Sequence, residues 1–404
     1  MGCASSVPLQ LPTAEQQKNH STKPKDHSTP QPDIGLAVGI TPVTQLAVAT
    51  PVQKKLQSVA YIIDCGSSHT QMFRYTLAGR DELGQSCCRF HDPDGKGLKI
   101  SELLPAGAEA WSAFLRNERW AGVDADVGAP IIFGCTAGVR RGMEAGAISD
   151  AHVSGFASAL LARWPERRAE LRVLSGLEEA ENELVAARLL AGHFDCGLFS
   201  GGGASCQIAT GDGEARRVLS VDVGTVEARE VLEREGEAAG MAWWRARLAR
   251  VRDEVRELPA GGFSGLYAGT AMQCTAAKWL GRLPASTILT RGEVLAALDA
   301  LVEAFLAPEE GNERMGELRA EAKAMNCYGQ WTDENEAERW AFFKHIWLPG
   351  ASRMQAMVRD LFAAEATFIF VHEAEVAPGV KLKAEWTLGF FLTLAGHPAG
   401  GAKR

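Results

Sequence analysis

The chain has 404 residues, of which 46% are hydrophobic and 23% are charged, and its net charge is −8 at pH 7. This length exceeds what one hydrophobic core usually organises, so we expect two folded lobes. An acidic chain of this kind is not expected to bind nucleic acid. Nine cysteines without a C-x-x-C pair are typical of a reducing compartment rather than of a disulfide framework.

The extreme N-terminus carries a lipidation pattern. Residues 1–6 read MGCASS, which fits the M-G-x-x-x-[ST] signature of N-myristoylation at Gly2. Cys3 beside it is a natural palmitoylation site, and two acyl chains anchor a protein far more stably than one. An unmodified tail with a chance match is the alternative. Residues 1–55 are rich in Pro, Gln, Thr, Ser and Lys, which predicts a disordered tether.

The tether implies a location at a membrane surface. No segment approaches the roughly 18 consecutive apolar residues of a membrane-spanning helix, and no signal-peptide core follows Met1. Together with the acylation pattern, this predicts a lipid-anchored protein on the cytoplasmic face of a membrane.

The folded part opens with an apolar run at residues 59–63, which predicts a buried strand. Residues 64–70 (DCGSSHT) follow it, and their glycine, hydroxyls and free amide groups could form a turn that faces an anion. The carboxylate of Asp64 beside a phosphate makes chemical sense if a divalent metal ion lies between them. Taken alone, an ordinary strand-to-turn exit explains this segment about as well.

A similar arrangement recurs at residues 198–205 (LFSGGGAS), where a short apolar strand again leads into glycines and a serine. Two such turns in one chain indicate two similar lobes that clamp the phosphates of a ligand between them.

Two further strand exits lie between the turns. An apolar strand at 130–133 leads into 134–141 (GCTAGVRR), which suits either an approach to phosphate or a surface salt bridge of Arg140. A strand at 171–174 leads into SGLEE and a helix. Glu178 and Glu179 in the first helical turn are favoured by the helix dipole. A carboxylate at this junction could instead deprotonate a water molecule as a general base.

The remaining pattern is less specific. It predicts a loop at 80–97, helices at 241–258, 291–306 and 382–394, and a buried strand at 367–372.

In this order, the motifs resemble those of the apyrase family, the nucleoside triphosphate diphosphohydrolases. The five short conserved regions of that family have counterparts here at 64–70 (DCGSSHT), 134–140 (GCTAGVR), 175–179 (SGLEE), 202–207 (GGASCQ) and 386–389 (WTLG). The resemblance implies an α/β fold of two ribonuclease-H-like, actin-like lobes with a nucleotide cleft between them. Lobe I would comprise residues 56–174 completed by 386–404, and lobe II residues 175–385.

The resemblance also implies an activity and roles for individual residues. The activity is hydrolysis of terminal phosphates from nucleoside tri- or diphosphates with Ca²⁺ or Mg²⁺, and Glu178 would activate the water, with Glu179 less favoured. The residues implied to bind phosphate are Ser67, Ser68, His69, Gly202, Gly203, Ala204 and Ser205. Those implied to hold the waters around the metal ion are Asp64, Thr136, Trp386 and Ser200.

The chain departs from the family pattern at several positions. Ser200 stands where the family has aspartate, so a charge expected near the metal ion is replaced by a hydroxyl. Ala180 replaces a glycine after the glutamates. Two alternatives therefore stay open, an exopolyphosphatase-like enzyme of the same superfamily and a weakened relative that binds nucleotide in signalling.

Overall fold

The computed structural model describes residues 59–396 except 68, 79–81, 92–96, 194, 203–204, 211–216, 222–230, 237–238, 240–241, 244–245, 247–261, 271–286, 325–329, 372 and 378–379. Gly2, Cys3 and the tether at 1–55 lie outside the described residues. Among the helices of the described part, none combines the length and the apolar character needed to cross a bilayer.

The first sheet has five strands in the order β3-β2-β1-β4-β5. Strands β1, β2 and β3 form an antiparallel meander, whereas β1, β4 and β5 run parallel. The ends of its parallel strands deliver three of the sequence motifs. The strands are β1 Val59–Cys65, β2 Thr70–Ala78, β3 Glu82–Arg89, β4 Ile131–Cys135 and β5 Ala169–Val173.

The second sheet has six strands in the order β10-β11-β9-β6-β7-β8. Strands β6, β7 and β8 form an antiparallel meander, and β6, β9 and β11 run parallel, with β10 antiparallel at the edge. The strands are β6 Gly197–Gly201, β7 Cys206–Thr210, β8 Arg217–Val221, β9 Leu266–Gly269, β10 Leu289–Thr290 and β11 Thr367–Phe370.

Apart from β10, the two sheets have the same strand order and the same strand directions. The hairpin β1–β2 in the first sheet therefore corresponds to the hairpin β6–β7 in the second. The register agrees as well, because Asp64 lies opposite Gln71 and Ser200 lies opposite Gln207. Ser200 thus occupies the position in the second sheet that Asp64 occupies in the first.

Helices cover both sheets. On the first sheet they are α1 Ile100–Ala106, α2 Ala108–Leu115, α3 Ala121–Ala125, α4 Ala137–Glu144 and α5 Asp150–Arg163, with a 3₁₀ turn at Glu118–Trp120. On the second they are α7 Arg291–Leu306, α8 Glu313–Ala324 and α9 Glu336–Leu361. A short hairpin, β12 Glu373–Ala377 and β13 Val380–Lys383, packs against β3.

Helices α6 Gly176–Ala191 and α10 Trp386–Leu394 cross each other. Gly389 makes this crossing tight, because a Cβ atom there would overlap the backbone carbonyl of Asn182. The apolar face of α10 packs on the first sheet, and α6 also packs on the second sheet through residues such as Leu184. The crossing therefore ties α6, which packs on the second sheet, to the helix that packs on the first.

The structure corrects some predicted bounds. Strand β3 lies inside the predicted loop 80–97, because a mostly polar edge strand pairs through its backbone and shows no apolar alternation. The predicted helix at 382–394 begins only at Trp386, since the residues up to Lys383 form β13. The helix predicted at 291–306 has those bounds. The one predicted at 241–258 lies largely outside the described residues.

Candidate active site

The first hairpin turn follows Asp64 at the end of β1. Ser67 packs against α4, where Gly138 leaves room for it, since a Cβ atom at 138 would lie 2.8 Å from the Cα of Ser67. Burial, and next the positive charge of Arg89, lower the pKa of His69, which favours a neutral imidazole at pH 7. Ser68 lies outside the described residues.

Trp386 connects the last motif to the first. Its indole Nε1 donates a hydrogen bond to Asp64 Oδ1 at 3.1 Å. The ring lies against Gly134 on β4, where any side chain would overlap it. Trp386 is buried at the start of α10, so three of the predicted motifs meet at this point. Thr136, also buried, follows β4 and begins α4.

The second turn follows Ser200 at the end of β6. The Gly202 N–H donates to the Ser205 carbonyl at 2.9 Å and closes the turn. Ser205 is buried, and its hydroxyl accepts a hydrogen bond from Gln207 Nε2 at 2.9 Å. Gly203 and Ala204 lie outside the described residues.

Glu183 on α6 is a residue that the sequence reasoning missed. Its Oε1 accepts hydrogen bonds from the Ser200 hydroxyl at 2.6 Å and from the Thr270 hydroxyl at 2.7 Å. The side chain is 5% exposed. Ser200 lies near the end of β6 and Thr270 directly follows the neighbouring parallel strand β9, so Glu183 places a carboxyl group at the point where Ser200 lacks one. The available signal was its spacing of four residues from Glu179, which puts both on one helix face.

Glu178, the predicted base, closes a capping box at the start of α6. Its Oε2 accepts from the Ser175 backbone N–H at 2.9 Å and from the Ser175 hydroxyl at 3.0 Å. Arg172 lies 3.7 Å from its other oxygen, and the side chain is 44% exposed. The contacts show the capping role, and they leave the carboxylate accessible to solvent.

Glu179 has different surroundings. It forms an ion pair with Arg140 at 3.3 Å, and its side chain is 15% exposed. Arg140 also donates to the Leu174 carbonyl at 2.6 Å, so it ties the end of β5 to α6. The sequence left Arg140 open between phosphate approach and a surface salt bridge; the structure shows a salt bridge that is largely buried.

Four carboxyl groups lie near one another, because the negative charges of Glu179, Glu183 and Glu385 all act on Asp64. Burial, and next the negative charges of Glu385 and Glu179, raise the pKa of Asp64 well above its usual value, while the Trp386 hydrogen bond lowers it. Burial raises the pKa of Glu183 to about 8, although its two hydroxyl donors act in the opposite direction. Burial also raises the pKa of Glu385, which precedes α10.

This acidic site fits a hydrated divalent cation. Neighbouring carboxylates repel each other, and a cation between them relieves that repulsion. Within the described ranges, no three His, Cys, Asp or Glu side chains are grouped so that they could hold one ion directly. Mg²⁺ often keeps its waters and binds carboxylates through them.

Comparison with known proteins identifies the fold. No protein-family model and no curated protein sequence matches the chain. The Ppx/GppA family member from Aquifex aeolicus aligns with a TM-score of 0.52 and 14% identity, over 84% of this chain and 97% of that chain. An exopolyphosphatase-like protein aligns with a TM-score of 0.50 and 15% identity, over 84% of this chain and 98% of that chain.

A nucleoside triphosphate hydrolase from Neospora caninum aligns with a TM-score of 0.46 and 12% identity, over 85% of this chain and 93% of that chain, which is too low a score to indicate a shared function. The apyrase resemblance therefore stays a prediction. The predicted two-lobe α/β class is confirmed: the chain has the fold of the Ppx/GppA structures.

Proposed function

We propose that this chain is a metal-dependent hydrolase of phosphoanhydride bonds, and that inorganic polyphosphate is the first substrate class to test. The observation that carries the proposal is the placement of the two hairpin turns. They follow Asp64 and Ser200 at equivalent strand ends, and carboxyl groups of α6 lie near both, since Glu179 and Glu183 act on Asp64 and Glu183 binds Ser200. The fold of exopolyphosphatase-like structures supports the choice of substrate.

Each predicted site residue would have one of three roles in this reaction. A bound Mg²⁺ or Ca²⁺ would neutralise the negative charge of the phosphates and of the carboxyl groups around it. Glu178 would orient and deprotonate the attacking water, because it is solvent-accessible and its capping contacts hold it in one place. The phosphate ligands would be Ser67, Ser68, His69, Gly202, Gly203, Ala204 and Ser205. Waters of the ion would be held by Asp64, Thr136, Trp386 and Ser200.

The test is phosphate release from polyphosphate and from nucleotides, with Mg²⁺ or Ca²⁺. We expect Glu178→Gln to lower turnover at least about 100-fold, the usual effect of a general base. Because this change also weakens a helix cap, Glu293→Gln is the matched control. Glu293 closes the same kind of capping box with Thr290 at the start of α7. If Glu178→Gln and Glu293→Gln retain equal turnover, Glu178 is not the base, and Glu179→Gln becomes the next variant.

Nucleoside tri- and diphosphates are the second candidate substrate class. The contact between Trp386 and Asp64 favours them, since it joins the first and last motifs of the apyrase resemblance. Faster phosphate release from nucleotides than from polyphosphate would identify nucleotides as the substrate class. Nucleotide binding without release under any metal would instead select the weakened binding relative.

We further propose that the chain is attached to membranes through Gly2 and Cys3. The pattern of its first six residues supports this. Gly2→Ala should move the protein from the membrane fraction to the soluble fraction, and Cys3→Ser should weaken retention. An unchanged distribution in both variants would reject acylation.

A further inference from the structure

A buried arginine lies behind the second hairpin turn. Arg353 on α9 is 0% exposed and is among the largest fully buried side chains of the described residues. Its Nη1 donates to the Gly202 carbonyl at 2.7 Å, and its Nη2 donates to the Gly201 carbonyl at 3.2 Å. Its planar guanidinium thus holds two consecutive carbonyl groups of the turn between β6 and β7.

These contacts orient the turn. Carbonyl oxygens carry partial negative charge, and if they faced the ligand they would repel phosphate. Here the Gly201 and Gly202 oxygens accept hydrogen bonds from the buried Arg353, while Gly202 itself is exposed to solvent. Arginine suits this task because its fork binds two acceptors in a fixed geometry, which a lysine ammonium cannot do.

The guanidinium also brings a positive charge to the back of the turn. A buried charge is expensive, and apolar residues of similar volume in such places often give equal or higher stability. The need to fill space in the core therefore does not by itself explain an arginine at this position. A positive charge behind an anion-binding turn attracts phosphate through a medium that screens less than water does.

We propose that Arg353 is a positioning residue: by fixing the Gly201 and Gly202 carbonyls and adding its positive charge behind them, it makes this end of β6 an anion site for charge-dense chains of phosphates. It acts through the turn and does not contact the ligand. The proposal deepens the proposed function and relies on it for the site, but it concerns binding and can be tested without turnover.

Arg291 provides a matched control. It also donates to two backbone carbonyls of the same lobe, those of Val358 at 2.9 Å and Arg359 at 2.6 Å. These lie near the C-terminal end of α9, more than one helical turn beyond Arg353. Arg291→Met therefore removes a similar set of Arg–carbonyl bonds without touching the hairpin turn.

The experiment measures binding of tripolyphosphate by calorimetry in EDTA, where no metal-dependent turnover occurs, at several salt concentrations. A unit charge about 8 Å from one phosphate charge, at an effective dielectric constant of about 20, changes affinity about 30-fold. We expect Arg353→Met to raise the dissociation constant by about that factor and to flatten its salt dependence. Arg353→Lys keeps the charge but loses the fork, so we expect a loss of about 3- to 10-fold. For Arg291→Met we expect less than about twofold.

Circular dichroism and thermal unfolding show which variants fold, and Arg353→Lys tests the proposal if Arg353→Met does not fold. Unchanged tripolyphosphate affinity in a folded Arg353 variant overturns the proposal, as does an equal loss in Arg291→Met. If the wild-type chain binds tripolyphosphate through Arg353 but releases no phosphate with any metal, the proposed hydrolysis fails and the anion site stands. If it hydrolyses polyphosphate with KM unaffected by Arg353→Lys, the anion-site proposal fails and hydrolysis stands.

Discussion

The hydrogen bond between Ser200 and Glu183 predicts that an aspartate at position 200 destabilises this chain. Ser200→Asp replaces a hydroxyl donor by a carboxylate beside the buried Glu183 carboxyl. Two unit charges about 4 Å apart repel by about 4 kcal/mol at an effective dielectric constant of about 20. Because such a pair retains a shared proton instead of ionising fully, we expect an observed loss of about 2–4 kcal/mol at pH 8 and less at pH 5.

The same group makes the stability of the unmodified chain pH-dependent. Burial raises the pKa of Glu183 from 4.5 to about 8, so between these values the folded chain keeps a proton that the unfolded chain releases. The stabilising contribution is fully present below pH 4.5 and is lost as pH rises toward 8, by at most about 1.4 kcal/mol per pH unit. Glu183→Gln removes this contribution to the slope.

The assay is urea unfolding in EDTA from pH 5 to pH 9 for the wild type, Ser200→Asp, Glu183→Gln and the double variant. We expect the double variant to recover most of the stability lost in Ser200→Asp, because the amide no longer repels the new carboxylate. Two results would refute the reasoning: an equal effect of Ser200→Asp in both backgrounds, or a pH slope unchanged in Glu183→Gln.

Two further predictions concern α10. Gly389→Ala should lower the melting temperature by several degrees, since its methyl group would overlap the Asn182 carbonyl at the crossing with α6. The control is Gly316→Ala on α8, where the added methyl group meets open space and should be neutral or stabilising. Equal melting temperatures in the two variants would contradict the tight crossing. Trp386→Phe removes the hydrogen bond to Asp64, so Mn²⁺ should bind about tenfold more weakly. Electron paramagnetic resonance measures the Mn²⁺ concentration at half-saturation. An unchanged concentration would place Trp386 outside the metal site.

Local pattern was sufficient for the parts of the fold that depend on short segments. Both glycine turns follow buried strands as predicted, and α7 has its predicted bounds, because its apolar spacing and its capping box at Thr290 and Glu293 are visible in sequence. The 26-residue helix α9 is not among the predicted elements, since Pro349 and Gly350 inside it usually signal a break. Only packing against the second sheet decides that the helix continues through Pro349 and Gly350.

The site was predictable where one motif contains both partners and not where distant residues meet. Glu178 and Ser175 cap each other within four residues, so this contact could be read directly. Glu183 falls within an ordinary helical pattern, and its partners Ser200 and Thr270 are 17 and 87 positions away. No spacing rule links residues that are brought together only by the order of strands in a sheet.

The equivalence of the two sheets explains why the position of Glu183 matters for the site. In the first sheet the carboxylate beside the hairpin turn belongs to the strand itself, as Asp64. In the second sheet the strand position is Ser200, and the carboxylate comes from α6, which packs on that sheet and crosses α10. A loss of charge at one position, seen alone in the sequence, looks like a weakened site. Seen in the fold, a carboxyl group is supplied one hydrogen bond away, by the helix instead of the strand. The second turn therefore keeps a carboxyl group beside it.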